Sequence, residues 1–566
     1  MNQKVNGRRA LNLVSFSLCA TLHLTATELE KPNIIYILTD DQEYALLGCT
    51  GNALIHTPHI DKLAAEGILF TNMHVSSAIS TPSRTCMLTG RYERSHGVNF
   101  NSGTSLSEEA WNDCYPMHLR RNGYYTGYVG KNHTPIGRGG YESGLMEKSY
   151  DYWYAGHGHL RFYSKEFQPI FKYSKEDTQV EIINEGALDF LKTENRKLEG
   201  PITNARGLKG AVRFLNERPK DRPFFLNVCF NLPHGAGAGN MQQRPTDDAN
   251  YKTLYRDIEI PLPAHYIARK DIKTPKLPHT VFHPEDRQKG YDYVDTPAAL
   301  RERIIREMEA MTGIDRLVGN LMAELKRQKI EKNTILVFCS DHGIFKGEYG
   351  LGGKSLCYEK TTHVPLIIYD PRSQKEDRAY QSDALVMSED IPATLLAYAG
   401  IEKPKTYQGF SLLPLINKKV TQVREYAFTE NLWSTHFGNP RCESIQNKEW
   451  KYIRYYKNNN LSAVDKIKHY AELGLADNSL YRVSNYDAIR YRIFVDAPFN
   501  GEKPVYEELF NLKKDPLEAN NLIAKKRYKK LIEQLRKECQ KGVVYARGQG
   551  KPRVYLETET TEAIPN

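Results

Sequence analysis

Four short apolar runs, each leading into a polar cluster or a turn, constrain this chain more than any other feature. Pro32 to Leu38 leads into Thr39-Asp40-Asp41, and Pro223 to Phe230 into Asn231-Leu232-Pro233-His234. Thr334 to Cys339 leads into Ser340-Asp341-His342-Gly343, and Val364 to Tyr369 forms a fourth run. Short, nearly continuous, β-rich runs are what strands buried on both faces look like. Helical spacing lies between them, most clearly from Ala299 to Gln328. This alternation predicts an α/β protein with a large mixed, mainly parallel sheet flanked by helices. Ligand sites in open sheets of this kind form outside the carboxyl ends of the strands. Asp40, Asp41, His234, Asp341 and His342 can therefore converge although they are far apart in sequence.

The chain has 566 residues, enough for one very large α/β domain and a smaller one. A composition shift near residue 420 places the large domain at 31–420 and a smaller α+β subdomain at 421–566. In the latter, Glu425 to Phe428 and Lys451 to Tyr455 read as strands of a small antiparallel sheet, and Lys525 to Cys539 as an amphipathic helix. Residues 1–26 read as a secretory signal, with Lys4, Arg8 and Arg9 ahead of an uncharged, mostly apolar stretch from Leu11 to Ala26. No later stretch has the length and apolarity of a membrane span. The expectation is an exported protein, periplasmic or secreted.

Nine cysteines lack CxxC spacing, which specifies neither a zinc site nor a disulfide pattern. Cys229 and Cys339, inside apolar runs, read as buried thiols. The net charge of +10 suits an anionic substrate. The basic run from Lys525 to Lys530 reads as a solvated helix face, and no nucleic-acid-binding pattern accompanies it.

The most specific string is Ser80-Thr81-Pro82-Ser83-Arg84-Thr85-Cys86-Met87-Leu88-Thr89-Gly90-Arg91. It predicts a helix opening at Ser80, where free backbone N–H groups and the helix dipole favour an anion. The string resembles the sulfatase signature, Cys or Ser-x-Pro-Ser-Arg-x-x-x-Leu-Thr-Gly, at every defined position. Other blocks resemble the same family. They are Asp40-Asp41, Gly130-Lys131-Asn132-His133, Leu232-Pro233-His234, Asp341-His342, Gly352-Gly353-Lys354 and the Glu508 to Glu518 turn. Singly, the two lysines read as surface residues and His133 and His234 as loop histidines. Their order and surroundings carry the functional reading.

The resemblance implies an alkaline-phosphatase-like fold and hydrolysis of sulfate monoesters, with Ser80 oxidised to formylglycine. It implies one divalent ion, calcium first, held by Asp40, Asp41, Asp341 and the oxygen at Ser80. His342 either contacts that ion or borders it. Arg84, Lys131, His133, His234 and Lys354 are the implied catalytic set, with Lys131, His234 and Lys354 on the sulfate, His234 or Lys354 as acid, and His133 as base. Serine at position 80 points to a serine-type formylglycine maturase acting before export. The weakly matching segment around Tyr154 to Tyr163 offers His157, His159 and Arg161 as contacts to a sulfated carbohydrate, a polysaccharide or glycosaminoglycan fragment. His363 stands where many relatives have arginine. Two other readings stay open: a phosphatase or phosphodiesterase of the same superfamily, and a non-catalytic glycan-binding relative.

Overall fold

The computed structural model describes residues 31–99, 104–140, 143–157, 210–234, 253–281, 291–432, 440–457, 498, 501–548 and 554–556. The strands of the main sheet are β1 (Asn33–Asp40), β2 (Ile68–His74), β3 (Tyr125–Asn132), β4 (Tyr152–His157), β5 (Phe224–Pro233), β6 (Thr334–Ser340), β7 (His363–Tyr369), β8 (Tyr380–Ser382) and β9 (Val386–Met387). Their order is β8-β2-β7-β6-β1-β5-β3-β4, with β9 also on β2. Only β7 runs against its neighbours, so the sheet is mixed and mainly parallel.

Alternation within the central strand builds two cores. Ile34, Tyr36 and Leu38 join one cluster, and Ile35 and Ile37 join another. Successive strand residues face opposite sides, so both faces must be covered. The first is covered by α2 (Ser80–Thr89), α3 (Tyr115–Arg121) and α5 (Asp390–Tyr398), through Met87, Leu88, Met117, Leu119, Ile391 and Leu395. The second is covered by α1 (Pro58–Glu66) and α4 (Pro297–Arg327), through Ile60, Leu63, Met311, Ile314, Leu317 and Leu321. The long helix α4 opens with Thr296, whose side chain accepts from the Ala299 N–H, and with Pro297 as its first residue.

The small sheet has the order β10 (Ala427–Asn431), β11 (Cys442–Gln446), β12 (Trp450–Tyr455), β13 (Tyr506–Asn511), all antiparallel. The helix α6 spans Lys529–Arg547, not Lys525 to Cys539. Residues 526–528 form a 3-10 turn ahead of it. Its Ile532, Leu535, Cys539 and Val543 cover one face of the sheet. The other face, with Cys442, Ile453, Tyr455 and Phe510, packs on Phe345, Leu356, Cys357 and Tyr358. Glu508 to Asn511, read as part of a turn, belong to β13, because their alternate residues feed both cores. A buried charge cluster adds to this joint: Arg94 donates to Glu430 at 3.1 Å and to Glu443 at 2.6 Å. Among the described residues, no helix is long and apolar enough to cross a membrane.

Candidate active site

Strand register brings the site together. Thr39 pairs with Ser340, and Asp40 with Pro233, at one edge of the sheet. Asp40 and Asp41, His234, and Asp341 and His342 therefore end three neighbouring strands at the same level. Asp41 adopts a φ of 64°, a conformation rare outside glycine. Its backbone N–H donates to Asp341 Oδ1 at 3.0 Å, which holds that turn. On β3, Gly130 has a φ of 102°, and a Cβ there would collide with the Cys229 carbonyl. Only glycine allows this close approach, which sets Lys131 next along the strand at the same edge.

Ser80 is the first residue of α2, six residues beyond the end of β2. Its Oγ lies 3.1 Å from His342 Nε2 and 3.4 Å from Asp40 Oδ1. One turn later Arg84 donates from Nε to Asp341 Oδ2 at 2.9 Å, with Nη2 3.5 Å from Asp40 Oδ1. Ser83 Oγ donates to the Asp341 carbonyl at 2.5 Å. Lys131 Nζ pairs with Asp40 Oδ2. Lys354 Nζ donates to Asp41 Oδ1 at 2.7 Å, and His234 Nε2 lies 3.7 Å from Asp41 Oδ2. His342 Nδ1 is 3.0 Å from the Gly343 carbonyl, which keeps the ring proton there and leaves Nε2 as an acceptor toward Ser80. His133 directly follows the β3 edge and is buried.

Burial dominates the electrostatics. It opposes charge on Asp40, yet Lys131, His234 and Arg84 hold that carboxyl well below its usual range. Asp41 is likewise lowered against burial, by Lys354, His234 and His342. Asp341 moves the other way: burial and the neighbouring Asp40 push it up despite Arg84. Burial and nearby cations keep His133 neutral, and burial pulls His234 down to about 3 and Lys131 to about 8.

Ligand atoms of Asp40, Asp41, Asp341 and His342 lie within 4.8 Å of one another. Three carboxylates and one imidazole nitrogen at that spacing match a divalent cation. Arg84 Nη1 is buried with no hydrogen-bond partner among the described residues. It is a donor on the residue one helical turn after Ser80, with room in its chemistry for one more oxygen.

All ten catalytic and metal positions read from the sequence thus meet at one edge. His157 ends β4, and its backbone pairs with Asn132 beside Lys131, which puts it at the same edge. His159 and Arg161 lie outside the described residues, as does most of the segment around them. His363 stacks on Tyr44 with ring centroids 4.0 Å apart and lies next to His74. Sequence reading missed Glu43, two residues beyond Asp41. It pairs with Lys346 and, at 3.0 Å, with Lys360, while Lys346 also pairs with Glu307 at 2.6 Å. Lys346 and Lys360 lie 303 and 317 positions from Glu43, and no local pattern marks them.

The sequence model of the sulfatase family matches residues 32–401, more than half of the chain. The chain belongs to the sulfatase family. A model described as N-sulphoglucosamine sulphohydrolase, C-terminal, matches residues 347–495 of this sulfatase. The N-acetylglucosamine-6-O-sulfatase of Bacteroides thetaiotaomicron is 27% identical, over 94% of this chain and 90% of its own length. The arylsulfatase of Clostridium perfringens is 26% identical, over 90% and 93%. A solved structure holding its substrate D-glucosamine-2-N,6-O-disulfate superposes with a TM-score of 0.62 at 21% identity, over 92% of this chain and 99% of that one. The phosphonate monoester hydrolase of Agrobacterium radiobacter superposes at 0.63 and 19% identity, over 91% and 96%. The fold is the alkaline-phosphatase-like one of these neighbours, and the enzyme is a sulfuric ester hydrolase.

Proposed function

We propose that this sulfatase removes sulfate from a sulfated carbohydrate, a polysaccharide or glycosaminoglycan fragment, using formylglycine at position 80 and a calcium ion. The observation that carries this reading is the buried convergence of Ser80, Arg84, three aspartates and two lysines. The N-acetylglucosamine-6-O-sulfatase relative and the neighbour holding a sulfated glucosamine support the saccharide class. An export signal at residues 1–26 would bring the enzyme to such glycans in the periplasm or outside the cell, and a serine-type maturase would act before export.

Formylglycine at position 80 would supply, as its hydrate, two hydroxyl groups, one a nucleophile toward sulfur and the other a means of releasing sulfate, which an unmodified serine lacks. Asp40, Asp41, Asp341 and the oxygen at position 80 would hold the cation, with His342 Nε2 as a neutral nitrogen donor beside them. The cation supplies positive charge opposite the sulfate oxygens. Lys131 and Lys354 sit on Asp40 and Asp41 in this structure. With those carboxylates committed to an ion, both ammonium groups are free to turn to the sulfate oxygens and stabilise charge as it develops. Lys354 carries a proton for the departing alcohol. His234, neutral in this surrounding, serves as a hydrogen-bonding partner in the alternative assignment of that role. Arg84 fixes position 80 relative to Asp341 and offers Nη1 to the oxygen there. Neutral His133 is suited to take a proton as sulfate leaves.

The reading is tested by producing the chain with a serine-type maturase and following two quantities. Peptide mass spectrometry should show loss of two hydrogens at Ser80, and the matured protein should release sulfate from sulfated saccharides. Full turnover by protein with unmodified Ser80 would overturn the formylglycine mechanism. Faster cleavage of phosphate or phosphonate esters than of any sulfate ester would favour a phosphohydrolase instead. Saccharide binding by fully matured protein with no turnover of any ester would favour a glycan-binding role.

A further inference from the structure

Cys357 and Cys442 are the one pair of cysteines whose sulfurs meet among the described residues, Sγ to Sγ 3.5 Å across 85 positions of sequence. All eight described cysteines carry free thiols. Cys357 is 1% exposed and Cys442 0%, within the cluster of Phe345, Tyr358, Ile453 and Phe510. The two come from different layers. Cys442 opens β11 of the small sheet. Cys357 lies three residues beyond Lys354, on the segment that leaves the catalytic edge. That segment is already fastened on its active-site side, where Lys354 pairs with Asp41 and Ser355 N–H donates to the Ala78 carbonyl at 2.9 Å, two residues before Ser80. The small sheet also grips it, since Tyr358 and Tyr455 both donate to Glu508 Oε2 at 2.7 Å. The candidate metal cluster among the described residues, Asp40, Asp41, Asp341 and His342, includes neither cysteine.

We propose that Cys357 and Cys442 form a disulfide that ties the Lys354 segment to the C-terminal sheet. Bond formation needs the sulfurs to close from 3.5 Å to about 2.05 Å. Rotations of two short side chains can share that movement. The oxidant is a dithiol–disulfide oxidoreductase or a small-molecule disulfide. One cysteine thiolate attacks the oxidant's disulfide, forms a mixed disulfide and releases one thiol. The second thiolate then attacks the chain's sulfur in that mixed disulfide and releases the other thiol. Two thiols lose two protons and two electrons, and the oxidant's disulfide is reduced to two thiols. Both sulfurs are shut from solvent in the folded protein, so exchange takes place during folding, before β11 closes over the segment. Closing so long a loop restricts the unfolded chain strongly, which favours the native state.

The test uses the full chain produced in cells with an oxidising cytoplasm, denatured in an alkylating agent without reductant and then digested. The expected result is one linked species containing the Cys357 and Cys442 peptides, two hydrogens lighter than the sum of its thiol forms, with the other six described cysteines alkylated. Wild-type protein reduced in denaturant and refolded with its thiols kept reduced should have a Tm several degrees below that of the oxidised protein, while the same treatment should leave the Tm of Cys442→Ala unchanged. Peptide mapping needs no variant, so a poorly folding substitution does not blunt the test. Full alkylation of Cys357 and Cys442 in protein denatured without reductant, linkage of either to another cysteine, or equal Tm values for the oxidised wild type and the wild type refolded in its reduced form would overturn the proposal.

Discussion

Arg84 reaches Asp341 across the gap between α2 and the end of β6, Nε to Oδ2 at 2.9 Å, with both side chains buried. This contact locks the helix that presents Ser80 to the strand that presents Asp341 and His342. The same guanidinium lies 3.5 Å from Asp40, so one side chain balances two carboxylates.

Arg84→Ala would leave two buried carboxylates short of a cation, and breaking a buried pair in this way costs about 3–5 kcal/mol. The expected outcome is an unfolding free energy from urea titration lowered by that amount, together with loss of turnover. Arg84→Lys keeps the charge but cannot span both partners. It should recover part of the stability and little of the activity. An unfolding midpoint for Arg84→Ala equal to that of the wild type would refute this account of the contact.

The four-residue cluster around Asp40 and Asp341 leads to a metal prediction. Removing a carboxylate takes away a ligand and part of the balancing charge. Asp341→Asn is expected to lose bound calcium on dialysis, measured by elemental analysis, and to lower kcat by at least about 10²-fold, the scale of losing one transition-state contact. Chelator treatment of the matured wild type should do the same, with recovery on adding calcium. Normal turnover by demonstrably metal-free enzyme would remove the ion from the mechanism.

Much of this site was legible before any coordinates. The apolar runs that became β1, β5, β6 and β7 end at the polar clusters that became the active edge, because a strand buried on both faces has no polar residue until it leaves the sheet. Two central-sheet strands gave no such signal. In β3, Gly127, Gly130 and Lys131 break the apolar run because the strand must let other groups approach closely. In β2, Thr71 and Asn72 interrupt it near its edge. Glu43, Lys346 and Lys360 look like surface charges in sequence. Their burial is decided by partners hundreds of positions away.

Behind α2 lies a second buried acidic group, Glu93, whose Oε2 accepts from Ser77 Oγ at 2.7 Å. Burial and the negative charge of Glu430 push its pKa up to about 8, and burial pushes Glu389 to about 7. In the unfolded chain both return to the ordinary carboxylate range. Over the interval between, the native state keeps protons that the unfolded state has released. The stability these two groups contribute is therefore full below the ordinary carboxylate range and is lost as pH rises from there to about 7 and 8, where Glu389 and Glu93 have titrated in the native state as well. Thermal unfolding between about pH 5 and about pH 8 should show Tm falling. Glu93→Gln, which cannot ionise and keeps a carbonyl acceptor for Ser77, should flatten the slope. A slope unchanged in Glu93→Gln would assign the effect to other groups.

Pairing of Asn132 with His157 brings the end of β4 to the active edge beside Lys131. A large saccharide draws binding energy from groups remote from the ester, whereas a simple aryl sulfate offers them nothing to hold. Matured enzyme should therefore release sulfate from one class of sulfated saccharide much faster than from an aryl sulfate. His157→Ala, His159→Ala and Arg161→Ala should lower kcat/KM for the saccharide by about 10-fold or more, the cost of a lost contact near 1.4 kcal/mol, with a smaller effect on the aryl ester. Equal losses on both substrates would mean that these residues support the fold or the common chemistry instead of recognising sugar. A preference for aryl sulfate over every saccharide tested would overturn the carbohydrate assignment itself.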